Sequence, residues 1–221
     1  MENQLSHTEE NYLKAIFKIT ERAEKVASTN KIAEQVNTSA ASVTDMLKKL
    51  NDKALINYEK YKGATLTPEG IRLATQLVRK HRLWEVFLYD KLKFPWEQIH
   101  DIAEELEHIN SDDLINRLDN FLGNPRFDPH GDPIPTSEGK FMLRNQSTLD
   151  SVPLHSKVVL VGVSHHSSEF LTYLNSINVK LGTKFKIIGK NSYDNSLTVD
   201  SNDNQLLITH EVAKNLLVKP G

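Results

Sequence analysis

Residues 28–67 read STNKIAEQVNTSAASVTDMLKKLNDKALINYEKYKGATLT, and the changes of periodicity inside this stretch decide the fold. Ile32, Ala33 and Val36 form a short apolar stripe at helical spacing within residues 31–36, which Asn37 and Thr38 interrupt. Ser39 is placed to cap a second helix that runs to about Asn51, with Val43, Met46, Leu47 and Leu50 on its inner face. Ser42, Thr44, Asp45, Lys48 and Lys49 stay on the outer face. The period then shortens to that of strands. Residues 55–58 and 64–67 are β-prone runs around Lys60-Tyr61-Lys62-Gly63, with glycine at the turn, and Pro68-Glu69-Gly70 ends the hairpin.

Upstream, Tyr12, Leu13, Ile16, Phe17 and Ile19 recur at three- and four-residue steps, so an amphipathic helix begins near Thr8 with Ser6 or Thr8 as its cap. A helix, a second helix, a short turn, a third helix and a hairpin within residues 1–70 is the winged helix-turn-helix plan. In it the third helix enters the major groove by its amino-terminal end, where Ser39, Ala41, Ser42, Thr44 and Asp45 project, while Lys60 and Lys62 of the wing meet phosphates. Small hydroxylic residues allow close approach to base edges and thymine methyls but read them less strongly than Arg or Asn. Three-helix cores also serve as protein-interaction modules; the hairpin and a basic balance favour double-stranded DNA.

The chain has 221 residues and a mass of 25.1 kDa, enough for two or three small domains. At 38% hydrophobic and 25% charged, with no apolar run approaching the roughly 18 residues of a membrane span, it has the composition of a soluble globular protein and no membrane partner. The polar, acidic residues 1–10 match neither a secretory nor a transit signal, so the expected location is the cytoplasm. The absence of cysteine excludes disulfides, thiolate nucleophiles and sulfur-ligated metals, leaving His, Asp, Glu and backbone oxygen for any metal. The net charge of -2 is uneven: +4 over residues 1–82, -8 over 83–150 and +2 over 151–221. That pattern suits a polyanion at one end and a cation in the middle, or simply solvated faces.

Beyond the hairpin a long helix is predicted over residues 69–92, then helices at 96–108 and 112–122, the last capped by Ser111 or Asp112 and closed by Gly123. Residues 124–135 hold four prolines and Gly131 and read as an extended linker, which carries Asp128 and His130. From Lys157 the pattern is β, with strands at 158–163, 184–188, 196–199 and 205–209 and one short helix at 169–177, a small barrel. The fold class is therefore mainly α with small β parts. Its expected domains are a DNA-binding winged helix at 1–70, a helical segment for metal and dimerisation at 71–140, and a β domain at 151–221.

The chemistry concentrates in the middle. His100, Glu104, Glu107 and His108 stand at i, i+4, i+7 and i+8 of one predicted helix, an arc of about 100°. His81 and Glu85 stand one turn apart on the helix before it. Packed together, these put three imidazoles and three carboxylates in one place with no obvious Lys or Arg between them, which calls for a cation or for protons. Taken singly, each pair has an ordinary reading as a surface hydrogen bond or a solvated helix residue. The joint oxygen-and-imidazole set suits Mn²⁺ or Fe²⁺, although Zn²⁺, Co²⁺ and Ni²⁺ accept the same ligands.

The run Arg79-Lys80-His81-Arg82-Leu83 with Glu85, then Ile99-His100-Asp101 and Leu106-Glu107-His108, resembles the diphtheria toxin repressor family of metal-dependent transcription repressors. The winged helix and a late barrel similar to the SH3-like or FeoA-like domain of its longer members extend the resemblance over nearly the whole chain, closest to the manganese-responsive members. The resemblance implies an activating metal site from Glu104, Glu107, His108 and the residue before the tyrosine of the first helix, here Asn11. Iron-type members carry cysteine and methionine at the Glu104 and Asn11 positions, manganese-type members glutamate and aspartate, so Asn11 departs from both. An ancillary site would use His81 and Glu85, with His100 as in iron-type members or, as in long manganese-type members, with linker and barrel residues that map to Asp128, His130 and Glu169, Asp128 standing in place of the usual linker cysteine. His165 and His166 match nothing in the family and read as exposed loop residues.

The implied protein is a homodimeric DNA-binding repressor that senses Mn²⁺ or Fe²⁺ and controls metal-uptake genes, and not an enzyme. Trp84, Phe87 and Leu88 would form its dimer interface unless they belong to an intrachain core. The alternatives are a metal-independent winged-helix regulator, whose DNA binding ignores EDTA, and a metal-dependent hydrolase, which needs an open coordination position and a general base for which no motif is present.

Overall fold

The first helix, α1 (His7–Glu21), starts where Ser6 and Glu9 cap each other: the Ser6 N–H donates to Glu9 Oε2 (2.8 Å) and the Glu9 N–H to Ser6 Oγ (3.3 Å). This is a capping box, which decides between Ser6 and Thr8. The computed structural model describes residues 5–21, 25–142, 144–201 and 204–221; residues 1–4 and 22–24, parts of the polar stretches at 1–10 and 21–28, lie outside it. Ser28 caps α2 (Thr29–Gln35) and Ser39 caps α3 (Ala40–Asp52), its Oγ accepting the Ser42 N–H at 3.2 Å. Strands β1 (Ile56–Glu59) and β2 (Gly63–Leu66) pair antiparallel, Ile56 opposite Leu66 and Tyr58 opposite Ala64. Gly63 has φ +109°, and a Cβ there would lie 2.4 Å from the Ala27 carbonyl oxygen, because Ala27 pairs with Ala64 beside the wing. Tyr12, Leu13, Ile16, Ile32, Val43, Leu47, Leu50 and Ile56 are buried together as the core of this winged helix.

Helix α4 (Pro68–Val86) widens into a π-helical turn at Phe87–Lys91, so the helix expected over 69–92 changes its hydrogen-bond step near its end. Helices α5 (Ile99–Leu106) and α6 (Asp112–Phe121) follow. The structure corrects the reading of residues 96–108 as one helix with four ligands on one face. Glu107 and His108 form the turn that closes α5, and their side chains are engaged by groups on α1 and α4.

The chain divides into two compact units: residues 1–81, 107–111 and 135–140, and residues 82–106, 112–134 and 141–221. The partition differs from the three segments expected because the apolar residues after Arg82 and those of the β domain form one continuous core, from Leu83, Trp84, Leu88 and Ile99 to Phe185, Val199 and Val218. Among the described residues its sheet has six antiparallel strands, β3 (Ser147–Thr148), β4 (Lys157–Val163), β5 (Lys184–Lys190), β6 (Leu197–Ser201), β7 (Asn204–Ile208) and β8 (Leu216–Pro220), in the order β3-β8-β4-β5-β6-β7. Register shifts at Leu160/Gly162 and Ile187/Gly189 bend β4 and β5. Helices α7 (Ser168–Ser176) and α8 (His210–Ala213) complete the unit. No helix of the described residues is long and apolar enough to cross a membrane.

Candidate metal centre

The Pro-rich segment lacks regular structure yet is tightly held. Asp128 Oδ1 accepts the backbone N–H groups of His130 (2.8 Å) and Asp132 (2.9 Å), and the Val163 N–H of β4 donates to the His130 carbonyl at 2.9 Å. Gly131 sits at φ +91°, and a Cβ there would lie 2.2 Å from the Val161 carbonyl oxygen, so only glycine lets the segment lie against β4. This seating places the buried His130 and Asp128 beside the buried Glu85 of α4. One ligand atom from each of Glu85, Asp128 and His130 lies within 4.8 Å of the others.

The protonation pattern inside this cluster follows from its hydrogen bonds. His130 Nε2 faces the Trp96 carbonyl at 3.0 Å, an oxygen that can only accept, so Nε2 carries a proton and Nδ1 is the nitrogen left to take up a proton or a metal ion. That Nδ1 lies 3.4 Å from Glu85 Oε1 without a well-aligned hydrogen bond, and it is buried. A second imidazole nitrogen, His100 Nδ1, is 3.2 Å from the same carboxylate oxygen, and His100 Nε2 is 3.7 Å from Glu104 Oε1. Lone pairs and anionic oxygens facing one another at these distances need a proton or a cation between them. The Asp128 carboxyl is pushed above the usual carboxylate range by burial, then by the charges of Glu85 and Asp132. Burial would lower the pKa of His130, but the close approach of the Glu85 carboxylate and the charge of Asp128 outweigh this and raise it. The donor set is therefore short of positive charge, and its oxygens and imidazole, with Nε2 fixed by a carbonyl, fit a divalent ion.

Arg82, Asp132 and His166 frame the cluster and were not singled out by sequence. Arg82 Nη1 donates to the Pro133 carbonyl (2.5 Å), its Nε lies 3.6 Å from Asp128 Oδ2 and its Nη2 lies 3.3 Å from Asp132 Oδ2. His166, expected as an exposed loop residue, is largely covered: its ring stacks on His130 with centroids 4.8 Å apart and its Nε2 donates to the Val163 carbonyl at 3.1 Å. Burial lowers its pKa and keeps it neutral. His165 is exposed as expected. Glu169, by contrast, is exposed in the first turn of α7 and stands outside the Glu85–Asp128–His130 cluster, whose β-domain neighbour is His166.

In the first unit Glu107 is fully buried, with Oε1 2.5 Å from Lys14 Nζ and Oε2 2.6 Å from His81 Nδ1. Burial would raise its pKa; the His81 hydrogen bond and the Lys14 charge outweigh it and lower it. His108 Nδ1 bonds Glu10 Oε2 at 2.5 Å and stacks on His7 at 4.2 Å. The compensating cations that sequence reasoning found missing are thus Lys14 and Arg82. Glu10 and Lys14 stand at i and i+4 on α1, a spacing visible in the sequence, and they flank Asn11, which is half-buried.

On the winged helix, Ala41, Ser42 and Asp45 are exposed on α3. Ser39 is occupied as the cap, the Thr44 hydroxyl donates to the Ala40 carbonyl (2.9 Å), and Asp45 pairs with Lys48 (3.1 Å). At the wing tip Lys62 pairs with Glu59 (2.6 Å), and Lys60 lies over the ring of the exposed Tyr61 at 5.0 Å. Of the expected dimer residues, Trp84 and Leu88 are buried in the intrachain core of the second unit, which was the competing reading, and Phe87 packs edge-on against Trp84. The exposed apolar residues that follow in sequence are Tyr89, Leu92, Ile109, Leu114 and Phe121.

Three family models match in order along the chain: iron dependent repressor N-terminal DNA binding domain over residues 4–64, iron dependent repressor metal binding and dimerisation domain over 67–136, and FeoA domain over 147–220. The iron-dependent repressor IdeR of Mycobacterium tuberculosis is 35% identical over 133 residues, 60% of this chain and 57% of that protein. The match thus spans little more than half the length of that relative. An HTH-type transcriptional regulator of Methanocaldococcus jannaschii is 33% identical over 118 residues, 53% of this chain and 94% of its own length. Among solved structures, a manganese-dependent transcriptional repressor in complex with manganese superposes with a TM-score of 0.88 at 30% identity, covering 96% of this chain and all (100%) of that one. The manganese regulator SloR superposes with a TM-score of 0.79 at 35% identity, covering 96% and 98%.

Proposed function

Since the chain belongs to the iron-dependent repressor family, we propose that it is a metal-activated transcriptional repressor that senses Mn²⁺ or Fe²⁺ in the cytoplasm and binds the operators of metal-uptake genes as a homodimer. The observation that carries this reading is the buried Glu85–Asp128–His130 cluster, with His130 Nδ1 turned to the carboxylates by the Nε2 bond to Trp96, in a chain that begins with a winged helix. Glu85, Asp128 and His130 would hold one ion, flanked by His100 and Glu104. Glu107 and His108, with Asn11 of α1, would serve a second, the carboxylate of Glu10 orienting the His108 ring. The bound ion supplies the positive charge that lets these carboxylates and imidazoles share a small volume. Harder oxygen donors at Glu104 and Asp128, in a chain without cysteine, support Mn²⁺ over softer-ligand metals.

In the first unit the ligand residues act on DNA binding through α1. Its Tyr12, Leu13 and Ile16 are buried in one core with Ile32 of α2 and with Val43, Leu47 and Leu50 of α3. Restraining α1 at its Glu10–Lys14 turn therefore restrains the recognition helix and removes part of the entropy lost on docking to DNA.

The test is binding of the full chain to its own promoter DNA by fluorescence anisotropy, titrated with Mn²⁺, with anaerobic Fe²⁺, and with EDTA. Binding that requires metal is expected; equal binding in EDTA overturns the metal switch and leaves a metal-independent regulator. In direct Mn²⁺ titrations His130→Ala is expected to lose one ion per chain and Glu169→Ala to retain the wild-type number. The reverse result would move the site from the Pro-rich segment to α7.

A further inference from the structure

Both oxygens of the buried Glu107 carboxylate are already taken, one by an ammonium on α1. Lys14 Nζ stands 2.5 Å from Oε1, the distance of a charge-assisted hydrogen bond, and the Lys14 side chain is itself buried, so the ammonium is held there rather than passing through from solvent. One turn earlier on the same helix, Glu10 is paired with His108, the other family-type ligand next to Glu107. The chain thus supplies partners of its own for these residues, Lys14 and His81 for Glu107 and Glu10 for His108, and two of the three stand on α1.

Resting on the reading of Glu107 and His108 as metal ligands, we propose that Lys14 is a built-in counter-cation that a divalent ion must displace from Glu107, and that it sets the metal concentration at which the protein responds. A divalent ion and an ammonium repel, and neither shares one carboxylate oxygen with the other at bonding distance. When the ion takes Glu107, Lys14 loses its anion, while an ion held by His108 Nε2 would leave the Nδ1 bond to Glu10 in place. The released ammonium stands one turn after Glu10 on α1, with Glu amino-terminal to Lys, the favourable order for a helical ion pair. The exchange replaces the ammonium on Glu107 by the ion and gives Lys14 a new anion, Glu10, within α1. The ion thereby changes the partners of α1, the helix whose core residues are shared with the recognition helix.

The decisive experiment measures Mn²⁺ affinity of the full chain by isothermal titration, or by the electron paramagnetic resonance signal of free Mn²⁺, for wild type, Lys14→Met and Glu107→Gln. Lys14→Met leaves the buried Glu107 without its ammonium in the metal-free state, so one class of site is expected to tighten by roughly tenfold or more. Glu107→Gln is expected to lose that class of site. If Glu107→Gln binds as wild type, Glu107 is not a ligand and the proposal falls with that reading. If Glu107→Gln loses the site while Lys14→Met binds equally or more weakly than wild type, Glu107 stands as a ligand and the counter-cation proposal alone is overturned. A measurement on the wild-type chain covers the case of a misfolded variant: the ¹⁵Nζ resonance of Lys14, protected by its bond to Glu107, should disappear or shift on stoichiometric addition of diamagnetic Zn²⁺. A resonance that persists unchanged while Zn²⁺ binds at Glu107 overturns the proposal.

Discussion

Glu9 shows how one carboxylate ties the first helix to the recognition helix. Its Oε2 caps the Ser6 N–H, and its Oε1 lies 2.6 Å from Lys53 and 3.2 Å from Lys49. Burial alone would raise its pKa, but the hydrogen bonds from Lys53, the Ser6 N–H and Lys49 hold it down at about 2, from an ordinary 4.5. The unfolded chain takes up this proton first as acid is added, so the stabilisation is fully present above pH 4.5 and is lost as pH falls through about 2. Because Lys49 is largely exposed, solvent screening discounts the effect to on the order of 2 kcal/mol. Glu9→Gln should lose that amount in urea unfolding at pH 7 and show a flatter loss of stability between pH 5 and pH 3 than wild type; identical acid limbs would show that Glu9 contributes nothing through its charge. At this scale the sequence was partly legible. The capping-box spacing Ser6 to Glu9 can be read from residue types alone. The partners Lys49 and Lys53 cannot, because they come from a different helix and only the packing of α1 on α3 brings them in.

Elements with strong periodicity were read correctly in kind: α1, α2, α3, the wing and four strands of the β domain stand where the apolar pattern places them. The failures lie where a tertiary contact overrides a local signal. Glu107 and His108 continue the helical pattern of α5 in sequence, yet they close it as a turn, because Lys14, His81 and Glu10 hold their side chains. His166 carried no periodic signal at all, and only the close seating of the Pro-rich segment on β4 brings it against His130. That seating depends on Gly131, where a side chain meets both a positive φ and the Val161 carbonyl at 2.2 Å. Gly131→Ala should therefore destabilise the second unit by about 2 kcal/mol or more. Because His130 is its neighbour, the variant should also lose the ion that His130→Ala loses. Thermal melts and Mn²⁺ titrations on the same preparation check both parts; a variant that melts and binds as wild type would mean that the segment does not need the close approach.

Across the whole molecule, charge and geometry offer two different accounts of how metal would promote DNA binding, and salt separates them. Residues 1–82 carry +4 and residues 83–150 carry -8, so bound divalent ions would reduce the repulsion between an acidic middle segment and a polyanion. That effect acts over long distances and is screened within about 8 Å at physiological ionic strength. The partner exchange on α1 acts instead through contact and packing, which salt screens far less. DNA affinity should fall with rising salt in both metal states, since phosphate contacts such as the one expected of Lys60 would release counterions. If the ions act by restraining α1 and the recognition helix, plots of log affinity against log salt with and without Mn²⁺ should be parallel, separated by a constant factor of roughly tenfold or more. If they act by neutralising the acidic middle, the two lines should converge as salt rises and meet where screening is complete. Parallel lines are expected here, because Glu107 and His108 already have partners on α1, so the proposed exchange would change which groups are tied together more than the field at the DNA.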